Sequence, residues 1–304
     1  MIFPNKLRKG DTVAIIAPSS PVTKEEADSC RELVENMGYH VKMGKSTYLS
    51  VNGYSAGTGQ EKAADIHQMF ADKDVKAIWC IRGGHSSSHT VDKIDYEIIR
   101  NHPKIFVGYS DVTNLHVLFN QECDLITFHG PMVKSNMLRD FEDFTKRSFE
   151  AALYMEDELT LENPEGEDFK VMVDGFAEGT IIGGNLALLT SMIGTPYEVN
   201  TKGKILFIED IGEGVDRLDR MMHQLIYSNK LQDAEGIIFG EFTDCANSYD
   251  ETYTVIEMLK NLLADYSKPI MYNIKSGHCS PMSTIPLGAM CRMDTTSKII
   301  KFKK

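Results

Sequence analysis

Short apolar runs alternate with stretches of helical periodicity through the first third of the chain, and this alternation restricts the fold more than any other feature. Residues 13–17, 40–43, 75–80 and 105–107 read as strands. Thr23 opens a helical pattern that runs to about Met37 and stops at Gly38, with Glu26 completing a capping box. Residues 61–70 place Ala63, Ala64, Ile66, His67 and Phe70 near one helix face. Strands that are apolar throughout, separated by helices and short loops, imply a mainly parallel sheet with helices on both faces. Such sheets bind ligands at the carboxyl ends of their strands. Those ends are residues 18–21, 82–89 and 108–111, the loops of least ordinary composition.

The pattern weakens between residues 156 and 178. Residues 162–168 are acidic and turn-rich, which places a domain boundary there and divides the chain into 1–165 and 166–304. Beyond it, strand-like runs at 180–182, 204–208, 236–239 and 299–302 mix with helical patterns at 186–193, 217–227 and 253–263. The second half therefore reads as a smaller mixed α/β domain.

Composition removes several functional classes. The chain has 304 residues and a net charge of −12, which argues against a nucleic-acid binder. No run approaches the roughly 20 apolar residues of a membrane span, and the first ten residues carry no apolar secretory core. Cys30, Cys80, Cys123, Cys245, Cys279 and Cys291 form no C-x-x-C pair, so neither a zinc ribbon nor a redox dithiol is expected. They read as reduced thiols of a cytoplasmic protein.

Four segments could carry chemistry. Ser110 follows the apolar run that ends at Gly108 and precedes a helical pattern marked by Val112, Leu115, Val117 and Leu118. A serine at a sharp strand-to-helix turn stands clear of the sheet beside the first N–H groups of the helix, a geometry suited to a nucleophile; on its residues alone the segment better suits the commoner case, an ordinary N-cap made by Ser110 or Asp111. Glu209 closes the run 205–208, where a carboxylate either orients a histidine or simply leaves the sheet as a solvated acid. His278 lies in a turn, Ser276-Gly277-His278-Cys279-Ser280-Pro281, as an exposed side chain or a general base. Arg82-Gly83-Gly84-His85 ends a strand; its paired glycines form a plain turn or bring N–H groups close to an anion. His85 and His89 have the spacing of one helix face but no third ligand, so metal binding is not expected. No G-x-G-x-x-G fingerprint follows a strand. Cys279 neighbours His278, but adjacent residues of extended chain point to opposite faces, which disfavours a Cys–His pair.

Taken together, the segments GDTVAIIAPSSP, AIWCIRGG, IDYEIIRNHPKIFVGYSDVTNLH, TFHGPM, IIGGNLALLTSMIGTPYE, KILFIEDIGE, RLDRMMHQL and SGHCSPMSTIPLGA resemble the serine LD-carboxypeptidases, the muramoyltetrapeptide carboxypeptidase family that also holds the microcin C immunity peptidases. The resemblance covers most of the chain in order. It implies a triad of Ser110 in GYSD, Glu209 in FIED and His278 in SGH, and an oxyanion hole from the backbone of Gly84 and Asp111. It also implies an N-terminal α/β domain that carries the serine, and a C-terminal domain that carries Glu and His. Two departures stand out. The family usually follows the paired glycines with tyrosine and glycine, where this chain has His85-Ser86-Ser87-Ser88; and Val112 replaces the last glycine of G-x-S-x-G.

The expected reaction is metal- and cofactor-free release of a terminal D-alanine from a cytoplasmic muropeptide through an acyl-enzyme, in peptidoglycan recycling. A carboxypeptidase must hold a free carboxylate, and Arg82, with Gly83 beside it, is the candidate. The family implies a homodimer. Two other readings remain open from sequence: an immunity-type peptidase that cleaves peptidyl or aminoacyl nucleotides, and a catalytically silent two-domain binding protein for peptides or sugars.

Overall fold

The computed structural model describes residues 1–304. Five parallel strands form the body of the first sheet: β1 (Thr12–Ile16), β2 (His40–Met43), β3 (Val75–Cys80), β4 (Ile105–Gly108) and β5 (Thr127–His129). Their order is β5-β4-β3-β1-β2. The connections include α1 (Lys24–Asn36), α2 (Gly59–Ala71), α3 (Tyr96–Asn101) and α4 (Thr113–Cys123). α1 carries the expected capping box of Thr23 and Glu26. Because side chains alternate along a strand, β3 sends Ala77 and Trp79 to one face and Ile78 and Cys80 to the other. The first face packs on α1 and α5 (Asp143–Leu153), through Cys30, Val34 and Phe149. The second packs on α2, α3 and α4, through Ile66, Phe70, Ile99, Leu115 and Phe119. Both faces are covered, as the continuous apolar runs require.

A second sheet has eight strands. In chain order these are β6 (Glu158–Thr160), β7 (Lys170–Val173), β8 (Phe176–Asn185), β9 (Lys204–Ile211), β10 (Gly236–Thr243), β11 (Ile270–Tyr272), then, after β12 (Ile285–Leu287), β13 (Met290–Asp294) and β14 (Ile299–Lys303). Their spatial order is β6-β14-β13-β8-β9-β10-β11-β7, with β8 to β11 parallel and the flanking pairs antiparallel. Its helices α6 (Leu186–Ser191), α7 (Val215–Tyr227), α8 (Lys230–Asp233) and α9 (Val255–Leu262) supply Leu189, Leu218, Met222, Leu231 and Leu259 to the face formed by Leu206, Ile208, Ile237 and Phe239.

The sheets exchange segments. β6 precedes the acidic turn yet pairs with β14, and β12 comes from the second half yet pairs antiparallel with β5. One apolar core runs from Trp79 and Val107 of the first sheet to Phe207 and Ile238 of the second. The two sets of strand ends also meet: Asn185, at the end of β8, donates its N–H to the Thr113 hydroxyl at the start of α4, 3.0 Å. No helix is long and apolar enough to cross a membrane.

Candidate active site

Ser110 stands at the turn between β4 and α4. Tyr109 is extended (φ −160°), and Ser110 then takes φ +64° before a single 3₁₀ turn leads into α4. A serine rarely occupies this left-handed region; here the bend lifts the side chain off the sheet. Neither the 3₁₀ turn nor α4 has a side-chain cap. The N-cap reading is therefore not realised: the Asp111 carboxylate turns instead to the Ser87 N–H, 2.8 Å.

Glu209 lies on β9 in register with Asn185, near the end that faces Ser110's loop. It is fully buried rather than solvated. His278 hangs on the loop that leaves β11 in the second sheet and enters β12 in the first, so one segment spans both sheets at this point. Its Nδ1 lies 2.7 Å from Glu209 Oε2, and its Nε2 lies 2.9 Å from Ser110 Oγ. With Nδ1–H donating to the carboxylate, Nε2 is left as an acceptor for the serine hydroxyl. The Tyr109 ring packs edge-on against the imidazole, centroids 4.9 Å apart. Glu209 Oε1 has no hydrogen-bond partner, so its carboxylate is committed to the histidine alone. Asp210, the neighbouring acid, points elsewhere: it accepts from Asn185 Nδ2 (2.8 Å), Ala187 N–H (3.0 Å) and Ile211 N–H (2.8 Å), and burial pushes its carboxyl up to about 6.

The Gly-Gly loop runs against the serine. A methyl on Gly83 would sit 2.9 Å from Ser110 Cβ and 3.1 Å from its Oγ, so the close approach requires glycine. Gly84 has φ +125°, and any side chain there would strike Ser20. The loop hydrogen bonds leave the Gly84 and Asp111 N–H groups without a carbonyl acceptor. Beneath the loop, Lys62 on α2 is buried, and burial pushes its ammonium down to about 8 against the opposing pull of Asp111. Sequence reading passed over Lys62, Ser20 and Tyr109. A signal for Lys62 existed: it shares the helical stripe of Ile66, Met69 and Phe70.

Arg82 bends away from solvent. Its Nε donates to the Gly83 carbonyl, 3.1 Å, and its Nη1 to the Pro21 carbonyl, 3.5 Å. His85 is exposed and lies outside the short 3₁₀ turn Ser87–His89, so the two histidines do not share a helix face. No group of three His, Cys, Asp or Glu side chains is placed to hold a metal ion. A cleft of about 680 Å³ opens beside His278. Glu165, Glu167, Glu241 and Asp244 line it with Phe242 and a single lysine, Lys275, which pairs with Glu241 at 2.8 Å.

Residues 13–130 match the LD-carboxypeptidase N-terminal domain and residues 178–293 the LD-carboxypeptidase C-terminal domain. A Bacillus subtilis (strain 168) protein described as a probable murein peptide carboxypeptidase is 42% identical over 97% of this chain and 92% of its own. The crystal structure of muramoyltetrapeptide carboxypeptidase from Oxalobacter formigenes superposes with a TM-score of 0.84 at 28% identity, covering 96% of this chain and 97% of the other. The microcin C7 self-immunity protein MccF, in complex with aspartyl sulfamoyl adenosine, gives 0.92 at 26% identity, covering 100% and 99%. With both domain types matched in order and a 42%-identical relative spanning nearly the whole chain, this protein belongs to the LD-carboxypeptidase family of serine peptidases.

Proposed function

We propose that the chain hydrolyses the L–D peptide bond that releases the terminal D-alanine of a muropeptide, with Ser110 as nucleophile, His278 as general base and Glu209 as its partner. The observation that carries the reading is the unbroken hydrogen-bond line Ser110 Oγ, His278 Nε2, His278 Nδ1, Glu209 Oε2. Ser110 attacks the carbonyl carbon while neutral His278 takes its proton. The Gly84 and Asp111 N–H groups receive the negative oxygen, each worth about 3–4 kcal/mol of transition-state stabilisation. The imidazolium, stabilised by Glu209, gives its proton to the departing D-alanine amine. A water activated by the same imidazole then releases the acyl group from Ser110. No step calls for a metal or organic cofactor.

The alternative substrate is a peptidyl or aminoacyl nucleotide. Phe242 in the cleft offers a face on which a base could stack, and the match to a neighbour holding aspartyl sulfamoyl adenosine favours it. The 42%-identical relative is described as a probable murein peptide carboxypeptidase, which favours the muropeptide. Kinetics on the two substrate classes decide the matter. A kcat/KM for the tetrapeptide at least tenfold above that for an aminoacyl sulfamoyl nucleoside supports the carboxypeptidase reading; the reverse order replaces it.

A further inference from the structure

The Gly83-Gly84 loop must be stiff to aim an N–H at a developing charge, yet paired glycines give it the most conformational freedom of any dipeptide. Ser20 holds it on both sides of Gly84, its N–H donating to the Gly83 carbonyl (3.4 Å) and its Oγ accepting from the His85 N–H (3.0 Å), and a second set of contacts lies at the next residues. Ser86 takes φ +83°, sparsely populated for serine. The buried Lys62 ammonium donates to the Ser86 carbonyl (2.7 Å), to Ser86 Oγ (2.8 Å) and to Ser55 Oγ (3.2 Å), which uses all three of its hydrogens. Ser87 gives its N–H to the carboxylate of Asp111, the residue after the nucleophile. Lys62 is 1% exposed and Asp111 4%. A buried ammonium is tolerated only when its donors and charge are answered. Here the answering groups are the glycine loop and the carboxylate next to Ser110.

We propose that Lys62 is a positioning residue for this reaction: it holds Ser86 in the left-handed conformation and so keeps the Gly84 N–H directed at the oxyanion of the Ser110 adduct. The inference rests on the reading of Ser110 as nucleophile and Gly84 N–H as oxyanion donor. Ser86 supplies two of the three oxygens that the lysine needs, and Ser87 supplies the N–H that the carboxylate needs. Without the ammonium, the Ser86 carbonyl loses its partner and only the bonds of the Ser86 hydroxyl to the Ser19 carbonyl (3.2 Å) and Ser55 Oγ (2.8 Å) still oppose a return to negative φ, a change that would rotate the peptide units between Ser86 and Gly84.

The test compares wild type with Lys62→Met by the rate at which a fluorophosphonate labels Ser110, and by kcat and KM on the tetrapeptide, each below the variant's melting temperature. Labelling needs the serine and the oxyanion donors but no peptide recognition. Wild type that labels without cleaving muropeptides therefore sinks only the substrate assignment, and wild type that does not label sinks the nucleophile. For folded Lys62→Met we expect labelling and kcat to fall together by about 10- to 100-fold with KM within about threefold, the cost of misplacing a catalytic group by a fraction of an ångström to an ångström. Labelling at the wild-type rate, or a loss confined to KM, overturns the proposal. If Lys62→Met does not fold, Ser86→Ala carries the test. It removes one of the three acceptors and keeps the carbonyl, and a drop of about three- to tenfold in both rates is expected for one lost hydrogen bond. Wild-type rates in Ser86→Ala overturn the proposal equally.

Discussion

Replacing Glu209 by glutamine keeps the shape of the side chain and removes its charge. The carboxylate faces His278 Nδ1 at 2.7 Å and is fully buried, so solvent screens it little. At an effective dielectric of 20 and a charge separation near 4 Å, attraction to an imidazolium is about 4 kcal/mol. That stabilisation exists only once His278 has taken the serine proton, so its loss falls on kcat. At 1.36 kcal/mol per tenfold it is worth about 10³-fold. The glutamine can also present its NH₂ to Nδ1 and force the proton onto Nε2, where it blocks the serine; a comparable change in a serine protease costs about 10⁴-fold. We therefore expect kcat to fall by about 10³- to 10⁴-fold with KM within about threefold. Stability should not follow activity. Carboxylate and amide fill the same buried space, so the melting temperature should change little. Steady-state kinetics with a thermal melt read both quantities. Full activity in the variant, or a loss that lies in KM, refutes the role assigned to Glu209.

Three further predictions separate the site from its support. Asp210→Asn should cost about 1–3 kcal/mol of stability, because three donors lose a charged acceptor, while kcat stays within about fivefold; a collapse of kcat in a folded protein would exchange the roles of the two acids. Gly83→Ala places a methyl 2.9 Å from Ser110 Cβ, so kcat should drop by about 10²-fold with little change in melting temperature; unchanged turnover would show that the loop does not constrain the serine. The third concerns pH. His116, buried between Thr127 Oγ1 (2.8 Å) and the Gly108 carbonyl (2.9 Å), is pushed by burial down to about 4, and burial lowers His129 in the same direction. Between pH 4 and the free-histidine value of about 6.5 the unfolded chain binds more protons, so this contribution to stability is present above 6.5 and lost as pH falls to 4; for His116 it amounts to about 3 kcal/mol. Asp210, held high, pulls the other way over part of that range, so urea midpoints at pH 5 and 7.5 are compared between wild type and His116→Asn. A variant with the same pH slope as wild type contradicts the assignment.

The sequence made the parallel half legible because its strands are buried on both sides and its helices carry capping boxes, as at Thr23. Four of its five parallel strands could be read from residues close together in the chain. β5, β6, β7, β11, β12 and β13 gave no such signal. β12 is three residues long and is a strand only because β5 offers an edge, a partner more than 150 positions away. Ser110, Glu209 and His278 could be singled out by type and local setting, but their meeting was expected only through the family resemblance. It depends on the join between β8 and α4 and on the loop that passes from one sheet to the other. Lys62 was half legible: its place on the stripe of Ile66, Met69 and Phe70 points it inward, but a lysine on a helix is ordinarily solvated and nothing local shows that Ser86 folds back over it. Arg82 had the chemistry of a carboxylate clamp; its Nε donates to the Gly83 carbonyl of its own loop and its Nη1 to the Pro21 carbonyl of the loop after β1, contacts that nothing local announces.

The most direct measurement is mass analysis of a tetrapeptide muropeptide after incubation with wild type and with Ser110→Ala, each shown to be folded. The account predicts tripeptide and free D-alanine from wild type, and a rate lower by about 10⁴-fold or more in the variant. Cleavage by Ser110→Ala at a rate near wild type, or products cut at any other bond, would contradict it.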